Sequence, residues 1–131
     1  MAYPTINLLA DQSLYLTFRR VDNRINMSIF NINPDGSKGV QIPTGTIYHH
    51  EQHDDSPLNI RRRVQELQPG RRYLLEIVGK NLNYSSGGPS PWHFAWVFDI
   101  DGTPTLPFDK SGHSNSAEVV REGVIVEVAP L

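Results

Sequence analysis

The densest run of ligating side chains is His49-His50-Glu51-Gln52-His53-Asp54-Asp55. Imidazoles and carboxylates are the donors that zinc and related divalent ions take. The spacing brings His49 or His50 beside His53 only where the chain curls. A catalytic ion would need a further ligand, such as His93 or His113. No established metal spacing is matched, so a solvated polar loop is the plainer expectation. A second acidic group, Asp99-Ile100-Asp101-Gly102, resembles the opening of a calcium loop but lacks that loop's later ligands. An Asp-Gly pair is also what a tight hairpin turn selects, and a turn is expected here. Asp99 and Asp101, pooled with Asp109, remain the alternative calcium set.

Arginines form the third cluster. Arg61, Arg63, Arg71 and Arg72 flank one stretch of chain and define a candidate patch for phosphate, sulfate or carboxylate, which guanidinium binds in bidentate fashion. Their plainer role is an exposed edge that discourages strand-to-strand aggregation. The fourth feature is Trp92, which stands between a proline and a glycine-serine stretch, with Asn81, Asn83, Tyr84 and His93 close in sequence. An aromatic face with amides around it suits the apolar face and the hydroxyls of a sugar. No nucleophile arrangement stands out. Gly112-His113-Ser114 lacks the strand-turn-helix of a nucleophile elbow, and there is no phosphate-binding glycine loop.

The elements that must position these residues read as strands. Leu14, Leu16 and Phe18 alternate with Tyr15, Thr17 and Arg19, and Ile25, Met27 and Ile29 alternate with Asn26 and Ser28. Asp22-Asn23 between them predicts a hairpin turn. Parity breaks at Phe30, which predicts a bulge near Ile29-Phe30. Asn33-Pro34-Asp35-Gly36 predicts a further turn. Val40 to Tyr48, interrupted by Pro43 and Gly45, predicts a strand that lies at a sheet edge or is split in two. Residues 49–57, 81–91 and 109–117 read as polar loops. Trp92, Phe94, Trp96, Phe98 and Ile100 make one face of the most hydrophobic strand, and Val124, Val126 and Val128 one face of the last. Residues 58–67 read as either strand or helix. The sequel Leu67-Gln68-Pro69-Gly70-Arg71-Arg72-Tyr73 resembles the tyrosine corner of fibronectin-III and immunoglobulin-like sandwiches, which favours strand and implies a Greek-key crossing.

The expected architecture is therefore all-β: one domain over residues 1–131, an antiparallel two-sheet sandwich of seven to nine short strands, Greek-key or jelly-roll-like. With 38% hydrophobic and 20% charged residues the chain can bury a core. Twelve Lys and Arg against 14 Asp and Glu exclude a generally basic nucleic-acid binder. The absence of cysteine excludes disulfides and thiolate metal sites. No run has the roughly 18 apolar residues of a membrane span, and no signal peptide is visible in residues 1–10. The leading expectation is a non-catalytic, lectin-like module. It would bind a carbohydrate or similar polar ligand through loops at one end and work as a homo-oligomer, with no cofactor beyond a possible calcium or other divalent ion. A structural assembly subunit and a metal-dependent enzyme built on His49, His50 and His53 are the alternatives.

Overall fold

The computed structural model describes residues 3–52, 55–65, 67–81, 90–114 and 118–131. Among them are eight strands: β1 (Thr5–Leu8), β2 (Leu14–Ile32), β3 (Lys38–Gln52), β4 (Ile60–Arg63), β5 (Arg72–Lys80), β6 (Ser90–Ile100), β7 (Thr103–Ser114) and β8 (Glu118–Val128). They join in one mixed, curled sheet ordered β1-β8-β5-β2-β6-β7, with β3 and β4 also paired to β2. No helix among the described residues is long and apolar enough to cross a membrane.

The sheet is continuous because β2 serves both halves. Its first half pairs β4 on one side and β6 on the other, and its second half pairs β3 and β5. The expected hairpin at Asp22-Asn23 is thus replaced by an uninterrupted 19-residue strand. Core burial on both sides of the pair explains why the chain runs on. Val21 and Ile25 are both fully buried, so it passes from one half of the core to the other instead of reversing. Asn23 is buried at this crossing and donates from Nδ2 to the Gln52 carbonyl at 2.8 Å. The Asp22–Asn23 peptide bond is cis.

Two expected loops are partly strand. β3 extends through His49, His50, Glu51 and Gln52, and Glu51 finds its partner across the ladder in Arg24 at 3.0 Å. β7 extends through Ser114 and pairs with β6. Polar residues suit such an edge, where one side of the backbone faces no strand. The pairing is not wholly antiparallel either, because β1 lies parallel on β8.

Local signals hold well. Register shifts flank Phe30, as the parity break predicts. The 33–36 turn closes with the Gly36 amide donating to the Asn33 carbonyl at 2.9 Å. Asp101 and Gly102 take φ of 48° and 96°, the two positive values that a type I′ hairpin turn requires. Tyr73 is buried and its hydroxyl accepts from the Gln68 amide at 2.9 Å, the bond a tyrosine corner makes.

The core fills the inside of the curl. Leu14, Leu16, Phe18, Phe94, Trp96 and Phe98 line one half; Ile25, Met27, Ile29, Leu75, Ile77, Val124 and Val126 line the other. The halves meet closely at Gly79 of β5. A Cβ there would lie 2.9 Å from the Phe94 ring of β6, so only glycine admits that ring.

Candidate functional site

Side chains alternate along a strand, so the residues between the buried aromatics of β6 face outward. Two polar groups form on that outer face. In the first, Arg61 of β4 reaches over β2 to Asp99 of β6. Nε donates to Oδ2 at 3.0 Å and a terminal nitrogen to Oδ1 at 2.6 Å. The guanidinium lies 3.7 Å from the centroid of the Tyr15 ring beneath it. The Gly102 amide donates to Asp99 Oδ1 at 2.8 Å. The Arg61 bonds, chiefly, hold the Asp99 carboxyl below the usual carboxylate range, against the opposing effect of burial. Both Asp99 oxygens are thereby engaged, which makes the guanidinium a competitor for any calcium ion at Asp99.

The second group centres on His93. Its Nδ1 lies 2.9 Å from Asp55 and its Nε2 lies 2.8 Å from Asp109 of β7. A neutral imidazole donates from one nitrogen only, so this arrangement calls for the doubly protonated ring. Burial works against that charge, but the bonds to Asp55 and Asp109 outweigh it and raise the His93 pKa above its ordinary value. Arg20 donates to the Asp55 carbonyl at 2.7 Å and lies 3.6 Å from its carboxylate. Asp22 stands opposite His93 in the β2–β6 register. The two carboxylates contact opposite edges of the ring and do not converge on a common ion. Among the described residues no group of three His, Asp or Glu side chains has a metal-holding arrangement.

The histidine run is spread along an edge strand. His49 Nδ1 contacts Asn26 Oδ1, and His50 Nε2 lies 3.2 Å from Gln52 Oε1. His53 lies outside the described residues. Asp101 accepts from the Ser13 amide at 3.3 Å and 3.4 Å, tying the turn to the start of β2.

Trp92, His93 and Asn81 are the described members of the Trp92 group. Trp92 and His93 are consecutive in β6 and face opposite sides of the sheet. The Trp92 ring lies against Phe94 with centroids 5.9 Å apart. It also covers Gly112, where a Cβ would sit 3.0 Å from the indole. Asn81 is fully buried and donates from Nδ2 to the Ser90 carbonyl at 3.0 Å and to that of Ser114 at 3.3 Å, a tie across strand ends. Tyr84 and Asn83 lie outside the described residues.

The arginine set is divided between the two halves of the sheet. Arg61 belongs to the β2–β6 face, and Arg63 borders a cleft of about 230 Å³ with Gln12, Ser13 and Gln65. Arg72 pairs with Glu127 at 2.9 Å on the other half. Arg71 is exposed and makes no side-chain hydrogen bond or ion pair among the described residues. Arg71 and Arg72 form the shared lip of two further clefts. One, of about 310 Å³, is lined by Asn31, Ile32, Asn33 and Pro34. The other, of about 470 Å³, is lined mainly by β1, the end of β8 and the residues after it. Sequence proximity pointed to Arg71 but not to Asn31, which only the β2–β5 register brings alongside, opposite Tyr73.

Comparison with known protein families, with curated proteins and with solved structures gives no match to this chain.

Proposed function

We propose that the protein is a non-catalytic, lectin-like binding module that takes an acidic saccharide at the Arg71–Arg72 end of the sheet. One observation carries this reading: an exposed guanidinium without a carboxylate partner among the described residues stands at the lip of a cleft holding two asparagine amides. A guanidinium recognises a carboxylate or sulfate by paired donors. The Asn31 amide serves hydroxyl groups, as does the second N–H of Asn33, whose Nδ2 also donates to Ser37 Oγ at 3.0 Å, and Ile32 with Pro34 offers an apolar wall to the ring carbons. Shallow single sites of this kind bind weakly. Assembly of the chain into a homo-oligomer would raise apparent affinity by about 10²–10⁴.

The test is a glycan array read beside titration calorimetry. Uronic-acid and sulfated saccharides should bind, and neutral ones should bind more weakly. Arg71→Glu should abolish the acidic preference without moving the melting temperature, since Arg71 is exposed. An array blank for acidic glycans sinks the proposal.

A further inference from the structure

The larger cleft at the same lip has a different character. Leu8, Leu9, Val128, Ala129 and Pro130 give it apolar lining, Asn7 and Glu127 (the latter paired with Arg72) add polar groups, and Arg71 with Arg72 is shared with the amide cleft. Leu9 is 60% exposed, an uncommon position for a large aliphatic side chain that borders a concavity. Scattered exposed leucines need no explanation, but one that lines an apolar hollow beside a cation unpaired among the described residues defines a two-part surface. The hollow measures about 470 Å³, within the usual range of ligand pockets.

The two clefts share Gly70, Arg71 and Arg72, so a ligand whose anionic group sits on Arg71 can occupy both. Its polar part would lie among Asn31 and Asn33, and its other part would lie on Leu9 and Pro130. Water-seeking chemistry cannot satisfy that second wall; alkyl carbon can. We infer that the ligand is an acidic saccharide carrying an apolar substituent, an alkyl or acyl group, with the charge held at Arg71 and the alkyl chain laid in the Leu9–Pro130 hollow. The inference rests on the saccharide reading above and specifies its ligand class. The Arg71 lip common to both clefts argues for a single amphiphile over an unrelated apolar partner.

Calorimetry with three probes, each kept below its micelle-forming concentration, tests it: methyl β-glucuronide, octyl β-glucuronide and octyl β-glucoside. The octyl glucuronide should bind at least tenfold more tightly than the methyl compound. About two buried methylenes suffice for that, each being worth about fourfold. Leu9→Ser should erase the octyl advantage while leaving methyl glucuronide binding unchanged. Because Leu9 is exposed, this variant should keep its melting temperature. Arg71→Glu should weaken both glucuronides. Equal binding of the methyl and octyl glucuronides overturns the inference and leaves the acidic-saccharide reading standing. Octyl glucoside binding as tightly as octyl glucuronide overturns the joint site, because the charge would then be idle. Failure of all three probes removes both proposals together.

Discussion

Arg61 spans β2 to hold Asp99 in a two-bond fork, with its guanidinium stacked over the Tyr15 ring on the way. The two residues are 38 positions apart, and β4 and β6 do not pair with each other. The bridge therefore fastens the short β4 to the outer face of the sheet. Asp99 is largely buried, so removing its charge leaves the fork with a weaker acceptor. Asp99→Asn should cost about 1 kcal/mol at neutral pH, because water around the half-exposed guanidinium screens part of the interaction. The folded Asp99 pKa is depressed, so its contribution is present above the unfolded value, about 3.9, and is lost as pH falls through the folded one. Urea midpoints of wild type and Asp99→Asn should therefore converge toward pH 2.5. A gap that persists unchanged at that pH contradicts the assignment.

The His93 bridge predicts the opposite slope. Its folded pKa is raised, so the stabilisation is complete below the unfolded value of about 6.5 and disappears as pH rises through the folded value. His93→Gln should cost about 1 kcal/mol at pH 5.5, since Asp109 is largely exposed and its share is screened. By pH 9 the penalty should be much smaller. Among the described residues Asp55, Asp109, Arg20 and Asp22 are the charged groups around the ring, and Asp55 and Asp109 favour its protonated form. Chemical-denaturation midpoints across this range, together with imidazole proton shifts, read the effect directly. An imidazole that titrates below 6.5 in the folded protein excludes the bridge.

Tyr73→Phe tests the corner. The substitution leaves the ring in place and removes only the acceptor for the Gln68 amide. The expected cost is about 1 kcal/mol, the net value of an ordinary hydrogen bond. A thermal melt showing no change would mean that water replaces the hydroxyl without loss.

Which features the sequence revealed depends on how local their causes are. The Asn33–Gly36 turn, the Asp101–Gly102 hairpin and the Tyr73 corner are each set within about six residues, and each was legible from residue type alone. The core stripes of β2, β6 and β8 were legible from alternation. Asp22-Asn23 misled because residues that favour turns also cap a buried crossing, and only the surrounding core decides between the two uses. His49 to Gln52 looked like a loop because an edge strand carries polar residues on both faces. The His93 bridge depends on where Asp55, β6 and β7 come together, and Asn31 reaches Arg71 through the β2–β5 register. Those are relationships of pairing, which residue type does not encode.

Trp92 provides the sharpest separation between core and site. Placed beside a proline and a glycine-serine stretch, it reads in sequence as a ring offered to a ligand. In the structure it shares the inner face with Phe94 and seals the bare backbone of Gly112. Its indole Nε1 is buried without a hydrogen-bond partner among the described residues, a cost that good packing of the ring must offset. Truncating a fully buried aromatic costs about 3–5 kcal/mol, and Trp92 is half-buried, so Trp92→Ala should cost about 2 kcal/mol. Gly112→Ala should also destabilise, because its new methyl would meet the indole at 3.0 Å. Phe94→Ala should be worse than either, since that ring joins both halves of the core. The measurement is a denaturant series on the three variants, with glucuronide titration on Trp92→Ala at a temperature where it stays folded. Retained binding with lowered stability is the expected result. A Trp92→Ala protein of unchanged stability that no longer binds would return the ligand to the Trp92 end and remove it from Arg71.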